Sequence, residues 1–474
     1  MKKICVITIF LFLLSKLLIC QQNETAMLPE DLQSIIGYWS GKIKVGSMSF
    51  TFSFHFWIDN GSLKGSLDSP EQDLKDIPVN EIIINKDSIK LDIKAIQRKY
   101  HAVIDRKNDM MNGFYIREGQ INLPLVLEKS ESAAVLKRPQ MPVKPYPYKE
   151  EEIVFTNEND GIEISGTLTI PNGDEVLPAV ILISGSGAQD RDESAFGHKP
   201  FLVIADYLTR NGISVLRYDD RGAGKSMGDH LQATTEINSE DVVSAVRYLQ
   251  SRKELDGTRI GLIGHSEGSI IASIAADKNP DIEYIVLLGA PGLGIEENLY
   301  LQNTLIRSKE GMSEGVIEQY NKIQRDIFSI LKEEPDDSVA FEKLRVAYTL
   351  NRYQLLSAEQ KRSVDETIKS RLTPYFRDII KCKPAEILKK VQCPVLAISG
   401  EYDLQAPAEK NLPEIERALK AGNNNNYKII ELPGINHMMQ TCHKGTISEY
   451  SEIEETISPE VLNCISEWIL IQIK

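Results

Sequence analysis

Clustered basic charge is missing from this sequence. Its 474 residues hold 54 Lys and Arg against 68 Asp and Glu, a formal net charge of −14. A nucleic-acid partner requires Lys and Arg gathered on one surface, and no stretch here gathers them. Metal-ligand patterns are missing as well. His55 and His101 have no acid or cysteine at ligand spacing, so neither a metal nor a cofactor is expected. Long apolar runs are also absent. The run at residues 4–14 follows Lys2-Lys3, is too short to span a bilayer stably, and is succeeded by Lys16. It has the form of an export signal occupying residues 1–20, and it predicts a periplasmic or extracellular protein with no transmembrane span in the mature chain. Leu17-Leu18-Ile19-Cys20 faintly resembles a lipoprotein box. Ile19 is bulkier than the small residue expected there, so cleavage near Cys20-Gln21 is favoured over a lipid anchor at Cys20.

Cysteine is sparse, with six in all. Two lie in the leader, leaving Cys382, Cys393, Cys442 and Cys464. In an oxidising compartment disulfides are allowed, but no spacing identifies the pairs.

What is present is a chain too long for one ordinary domain, with 42% hydrophobic and 26% charged residues, the balance of a soluble globular protein. Residues 28–130 read as β structure. Phe50, Phe52, Phe54 and Phe56 alternate with Ser49, Thr51, Ser53 and His55, the period of a strand with one buried face. Similar runs recur at 82–84, 89–93, 100–104, 114–116 and 123–127, separated by turns such as Asp59-Asn60-Gly61. A small antiparallel barrel or sandwich is predicted. Gly37-Tyr38-Trp39-Ser40-Gly41 resembles the G-x-W motif of lipocalin-like barrels, although an accessory domain with a packed interior is the preferred reading. The proline-rich stretch 131–150 reads as a linker.

Beyond it, strands alternate with helices through residues 151–474, which demands a mostly parallel sheet with helices on both faces. Strand signals fall at 166–171, 179–184, 213–218, 284–289, 395–400 and 427–432. Helix signals fall at 201–211, 239–251 and 459–473. From about 293 to 390 the strand signal disappears, and charged helix-favouring runs such as 315–332 and 337–348 replace it. An insertion of this kind normally lies over strand ends, so a helical lid is predicted. The alternative is a subdomain packed at the edge, away from substrate.

The chemistry centres on Gly264-His265-Ser266-Glu267-Gly268. An apolar strand precedes it and a helix of small apolar residues follows, the context in which G-x-S-x-G forms a nucleophile elbow. Ser266 is the candidate nucleophile. In this arrangement an acid and then a histidine follow in chain order. Asp403 follows the C-terminal end of the strand 395–400 and is the first choice for the acid; Glu401 is one step too early by pattern, and Glu409 reads as a helix start. His437, in Pro433-Gly434-Ile435-Asn436-His437, directly follows the last strand and is the candidate base. His443 reads as a loop residue. The three act together because a serine hydroxyl attacks only when an imidazole takes its proton and a carboxylate orients that imidazole. The oxyanion hole needs the backbone N–H of Glu267 and a second donor from Ser184-Gly185-Ser186-Gly187, with Ser186 preferred to Gly187.

These motifs together resemble a bacterial α/β-hydrolase family, the serine aminopeptidase-like (S33-type) hydrolases and carboxylesterases. The similarity is carried by residues 184–193, by Tyr218-Asp219-Asp220-Arg221-Gly222-Ala223-Gly224-Lys225-Ser226, by 264–268, by 400–407 and by 432–437. It spans residues from about 150 to the C-terminus and implies a cap between the later strands. Ala188 stands where a proline is expected. Gly224-Lys225-Ser226 is not a P-loop end, because Asp219 occupies the position of its first glycine.

The activity this implies is hydrolysis of carboxylic esters of small molecules through an acyl-enzyme. One alternative is a serine aminopeptidase or amidase acting on short peptides, with Glu267, Glu296 or Glu297 holding the substrate ammonium. Another is an inert binding protein on a hydrolase fold. An acyl-CoA thioesterase would need basic residues for the nucleotide phosphates.

Overall fold

The computed structural model describes residues 30–45, 48–72, 74–117, 122–173 and 175–474. The expected leader at 1–20, with Cys20, lies outside these residues. The chain forms two compact units, divided in the main between Ala134 and Val135.

The first unit opens with a short helix, α1 (Glu30–Gln33), and continues in nine strands: β1 (Gly37–Val45), β2 (Met48–Asp59), β3 (Ser62–Ser69), β4 (Leu74–Pro78), β5 (Glu81–Asn85), β6 (Ser88–Ile93), β7 (Arg98–Asp105), β8 (Met110–Ile116) and β9 (Leu123–Ser130). They make one sheet in the order β4-β3-β2-β1-β9-β8-β7-β6-β5. This is the succession of an up-and-down barrel opened between β4 and β5, and not of a two-sheet sandwich. Alternation places Phe54, Phe56, Leu91, Tyr100 and Leu125 on the buried face. Trp39 is a core residue whose Nε1 donates to the Ile35 carbonyl at 2.7 Å. The Tyr100 hydroxyl donates to the carbonyls of Met111 and Leu125, and burial raises its pKa.

The second unit holds an eight-stranded sheet of β10 (Lys149–Asn157), β11 (Ile162–Ile170), β12 (Leu177–Ile183), β13 (Ser214–Tyr218), β14 (Leu255–His265), β15 (Ile282–Leu288), β16 (Val395–Gly400) and β17 (Tyr427–Leu432). Its order is β10-β11-β13-β12-β14-β15-β16-β17. The first two pairings, β10 with β11 and β11 with β13, are antiparallel, and the rest are parallel. Strand β10 begins inside the stretch read as linker. Its Lys149-Glu150-Glu151-Glu152 start conceals it in the sequence, yet charge is what an edge strand needs to resist pairing with another chain.

The central strands are apolar at every position because both faces are covered. Ala179, Ile181 and Ile183 pack on one side with α3 (Thr235–Gln250), α4 (Glu267–Lys278) and later α11 (Ala408–Ala421). Val180 and Leu182 pack on the other with α2 (Pro200–Arg210) and the closing helix (Pro459–Gln472). Between β15 and β16 lie only helices: α5 (Ile295–Lys309), α6 (Glu314–Glu333), α7 (Asp337–Thr349), α8 (Ala358–Arg371), α9 (Pro374–Ile379) and α10 (Pro384–Leu388). Their apolar faces meet at Ile327, Phe328, Leu331, Leu344 and Ile368. That cluster is seated on Ile270 and Ile274 of α4. The insertion therefore stands on the helix that starts at the candidate nucleophile.

The candidate active site

Ser266 sits between β14 and α4 with φ +52° and ψ −119°. A non-glycine residue adopts such a backbone only when its surroundings enforce it. Here they do. A Cβ on Gly264 would lie 2.3 Å from the Gly268 carbonyl oxygen, and one on Gly268 would lie 2.2 Å from that of Ile183. Two glycines thus bring strand and helix close enough to force the turn between them. The Ser266 N–H donates to the Leu288 carbonyl at 2.8 Å, fixing the elbow to β15.

Asp403 and His437 are joined directly. Asp403 Oδ2 is 2.8 Å from His437 Nδ1, while its Oδ1 accepts the backbone N–H groups of Gln405 and Ala406 at 2.8 and 2.7 Å. The two side chains are almost fully buried. Gly289, at φ +56°, makes room for them, since a Cβ there would stand 3.1 Å from His437 Nδ1 and 3.3 Å from Asp403 Oδ2. Asn436 and Gln440 hold the turn carrying His437 through reciprocal backbone and side-chain bonds. The neighbouring candidates fall elsewhere. Glu401 accepts the Gly434 N–H at 3.0 Å, Glu409 lies in the first turn of α11, and His443 is exposed. Among the described residues Ser266 and His437 make no hydrogen bond to each other. Catalytic contacts of this kind often tighten only when substrate is bound. Leu288 accepts the Ser266 N–H, and its chain neighbour Gly289 faces His437.

A second histidine, unnoticed in the sequence, lies beside His437. The His265 ring lies 4.9 Å from that of His437, centre to centre. Its Nε2 is 2.9 Å from the His437 carbonyl oxygen and its Nδ1 is 2.8 Å from Glu193 Oε1. Glu193 Oε1 also accepts the Gly185 N–H at 2.7 Å. Burial opposes charge on His265, but the carboxylate of Glu193 and the His437 carbonyl outweigh it and push its pKa up to about 9. Both ring nitrogens face acceptors, so the doubly protonated imidazolium fits the site. His265 thereby ties the loop after β12 to the loop carrying His437. Only its place inside the motif could have drawn attention to it.

The loop after β12 approaches the elbow closely: a Cβ on Gly185 would lie 3.3 Å from the Cβ of Ser266. Ser186 is exposed toward the same cavity as Ser266, and Gly187 takes φ +95°. The Glu267 N–H begins α4, where a helix leaves its amides without intrahelical partners. The motif at 218–226 supports this loop. Asp219 receives Arg191 through Nε and Nη2 at 3.1 and 2.8 Å, and a Cβ on Gly224 would strike the Asp219 carboxylate at 2.4 Å. Asp220 accepts from the Ser184 hydroxyl at 2.7 Å and the Gln189 N–H at 3.0 Å, and burial pushes its pKa up to about 8.

The insertion reaches the elbow through Tyr375. Its hydroxyl donates to Glu267 Oε2 at 2.6 Å. Burial pushes the Glu267 carboxyl up, with the bonds from Tyr375 and Ser186 acting against it. Tyr375→Phe leaves that buried carboxyl short of a partner. The expected cost is about 1–3 kcal/mol in unfolding free energy, with a raised KM. Chemical denaturation and steady-state kinetics check it, and an unchanged midpoint with an unchanged KM would disprove the contact's importance.

A cavity of about 300 Å³ adjoins Ser266, bounded by Ser186 and Glu267 on the sheet side and by Leu299, Arg371 and Phe376 of the insertion. Glu296 and Glu297 line a different cavity of about 640 Å³, with Lys332 and Cys382. Cys382, Cys393, Cys442 and Cys464 are free thiols, so none of the disulfides that the sequence allows is formed. Burial pushes Cys382 and Cys393 up to about 12 and Cys442 up to about 11. Among the described residues no group of His, Cys, Asp and Glu is arranged to hold a metal ion, and no helix is long and apolar enough to cross a membrane.

Comparison with known proteins gives the family. The family described as serine aminopeptidase, S33, matches residues 199–441, just over half of the chain. Esterase EstD of Thermotoga maritima is 28% identical over 332 residues, 69% of each chain. Among solved structures, the Pyrococcus furiosus esterase Pf2001 is similar over 72% of this chain and all of its own, at 16% identity and TM-score 0.42. The proline iminopeptidase of Mycobacterium smegmatis is similar over 68% of this chain and 98% of its own, at 13% identity and TM-score 0.42. With the S33 pattern extending from the start of α2 to the turn beyond His437, this chain belongs to the serine aminopeptidase S33 family of α/β-hydrolases and is a serine hydrolase.

Proposed function

We propose that this protein hydrolyses carboxylic esters of small molecules with Ser266 as nucleophile, His437 as general base and Asp403 as the carboxylate orienting it. The observation that carries this reading is the buried Asp403–His437 contact of 2.8 Å beside a serine held at φ +52°. Ser266 Oγ attacks the ester carbonyl as His437 takes its proton. The oxyanion that forms is met by the Glu267 N–H and by that of Ser186 or Gly187. His437 returns the proton to the departing alkoxide, leaving an acyl-enzyme. Water, deprotonated by the same imidazole, then releases the acid and restores Ser266.

Ester is favoured over amide on two grounds. An alkoxide leaves the tetrahedral intermediate more readily than an amine, so less exact positioning is needed. An aminopeptidase must also hold an α-ammonium, and of the acids suggested for that purpose two are otherwise occupied while the third, Glu297, lines the other cavity. Glu267 is bound by Tyr375, and Glu296 is paired with Lys332 at 2.6 Å in the other cavity. The relationship to an esterase at 28% identity points the same way. Matched acyl esters and N-terminal aminoacyl amides decide the matter: kcat/KM is expected to be higher for the ester. Amide turnover equal to or above it would replace this reading with a peptidase. The leader at 1–20 is proposed to direct export, with residues 28–130, 131–150 and 151–474 as accessory domain, linker and catalytic domain. Recovery of the full-length chain in the cytosolic fraction would contradict export.

A further inference from the structure

The walls of the cavity beside Ser266 are mostly apolar, among them Pro291, Leu299, Phe376 and Ile379. Two residues that ordinarily carry charge also face it, Glu267 and Arg371, and they differ in circumstance. Glu267 is buried, engaged by Tyr375 and pushed by burial toward its neutral form. Arg371, the last residue of α8, is half-buried. Its guanidinium lies 4.2 Å over the ring of Phe376, which orients it, and its polar neighbour is the uncharged Tyr348 hydroxyl. Elsewhere in the insertion Arg345 is matched by Asp365 and Arg377 by Asp337. Arg371 pairs with no carboxylate among the described residues. In a chain of net charge −14, the cavity beside Ser266 thus presents a guanidinium paired with no carboxylate, and Glu267, held by Tyr375, is the one acid in its lining.

A planar guanidinium, partly desolvated and held by stacking, is suited to binding a carboxylate through two parallel hydrogen bonds. We propose that Arg371 binds a carboxylate on the acyl part of the substrate, so that the preferred substrates are monoesters of short dicarboxylic acids. The esterified carboxyl faces Ser266 and the free one meets Arg371. The cavity's volume of about 300 Å³ suits a short acyl chain spanning the two. Long-range attraction cannot supply this preference, because an acidic protein repels an anionic ester at a distance. The selectivity must arise locally.

This inference rests on the esterase reading, and the test separates the two. Three esters are compared with the full chain: monoethyl glutarate, ethyl pentanoate, and the O-butanoyl ester of glycolic acid, which carries its carboxylate on the alcohol side. The expected kcat/KM for monoethyl glutarate exceeds that for ethyl pentanoate by about tenfold or more, the scale of a charge-assisted contact. Arg371→Leu collapses that ratio toward one, and Arg371→Lys keeps part of it. A ratio near one in the parent, or one unmoved by Arg371→Leu, overturns the inference while turnover of ethyl pentanoate keeps the esterase reading. A preference confined to the glycolate ester overturns the acyl-side placement. Turnover of none of the three overturns the reading beneath it.

Discussion

Ser266→Ala lowers kcat/KM for a carboxylic ester by at least about 10⁴-fold, with the unfolding midpoint within measurement error of the parent. The magnitude follows from the role proposed for Ser266. Without the hydroxyl no acyl-enzyme forms, and the cavity and the Glu267 N–H are left with only the residual acceleration that binding and oxyanion contacts supply. His437→Ala is expected to cost a similar factor, and the double variant little more, because a nucleophile and its base act as one unit. His443→Ala, altering an exposed side chain, is expected to change activity less than about threefold. Labelling with a fluorophosphonate gives a second readout: covalent capture at Ser266 in the parent and none in the alanine variant. An inactive His443→Ala beside an active His437→Ala would reverse the assignment, and an unimpaired Ser266→Ala would remove it.

The second large effect concerns stability. His265→Leu strands the Glu193 carboxylate in a buried site and is expected to cost about 3–5 kcal/mol, the penalty of breaking an interior ion pair from one side. The pH dependence has a definite sign. The His265 pKa stands at about 9 in the folded chain against an ordinary 6.5. A pKa raised by folding adds stability that is fully present below 6.5 and is lost as pH climbs through 9. The appropriate reference is the double variant His265→Gln/Glu193→Gln, which carries no ionising group at either position. The parent's advantage over it is expected to be greatest near pH 6 and to shrink steadily toward pH 9.5, as urea unfolding at a series of pH values would show. An advantage that grew over that interval would mean His265 is neutral in the folded protein.

Much of this was legible in the sequence, and the portion that was not has a common cause. The elbow could be read because its parts are local. Two glycines, a serine, a preceding apolar run and a following helix lie within about twenty residues, and the close approach of Gly264 is to Gly268 in the same short stretch, although that of Gly268 is to Ile183 of β12. The order of Asp403 and His437 followed from strand ends, which apolar runs mark well. Strand β10 was hidden because its charged face satisfies the needs of an edge, where hydrophobic alternation is weak. The contacts of His265 with Glu193 and of Tyr375 with Glu267 join residues 72 and 108 positions apart. No periodicity connects such pairs. Each residue taken alone reads as an ordinary polar side chain, and its role appears only once burial removes water as a partner.

The insertion between β15 and β16 has an implication for ancestry. These strands are hydrogen-bonded neighbours, with Ile285 opposite Val395 and Leu288 opposite Ile398, although six helices intervene along the chain. Closing a loop grows dearer only with the logarithm of its length, about 0.6 kcal/mol for each doubling. A lineage could therefore lengthen, trim or exchange this segment while the strands on either side kept their register, provided a fresh apolar face settled on Ile270 and Ile274. Diet could drift while digestion stayed the same. In such a history, descendants would share the serine elbow and differ most in the helices that stand over it.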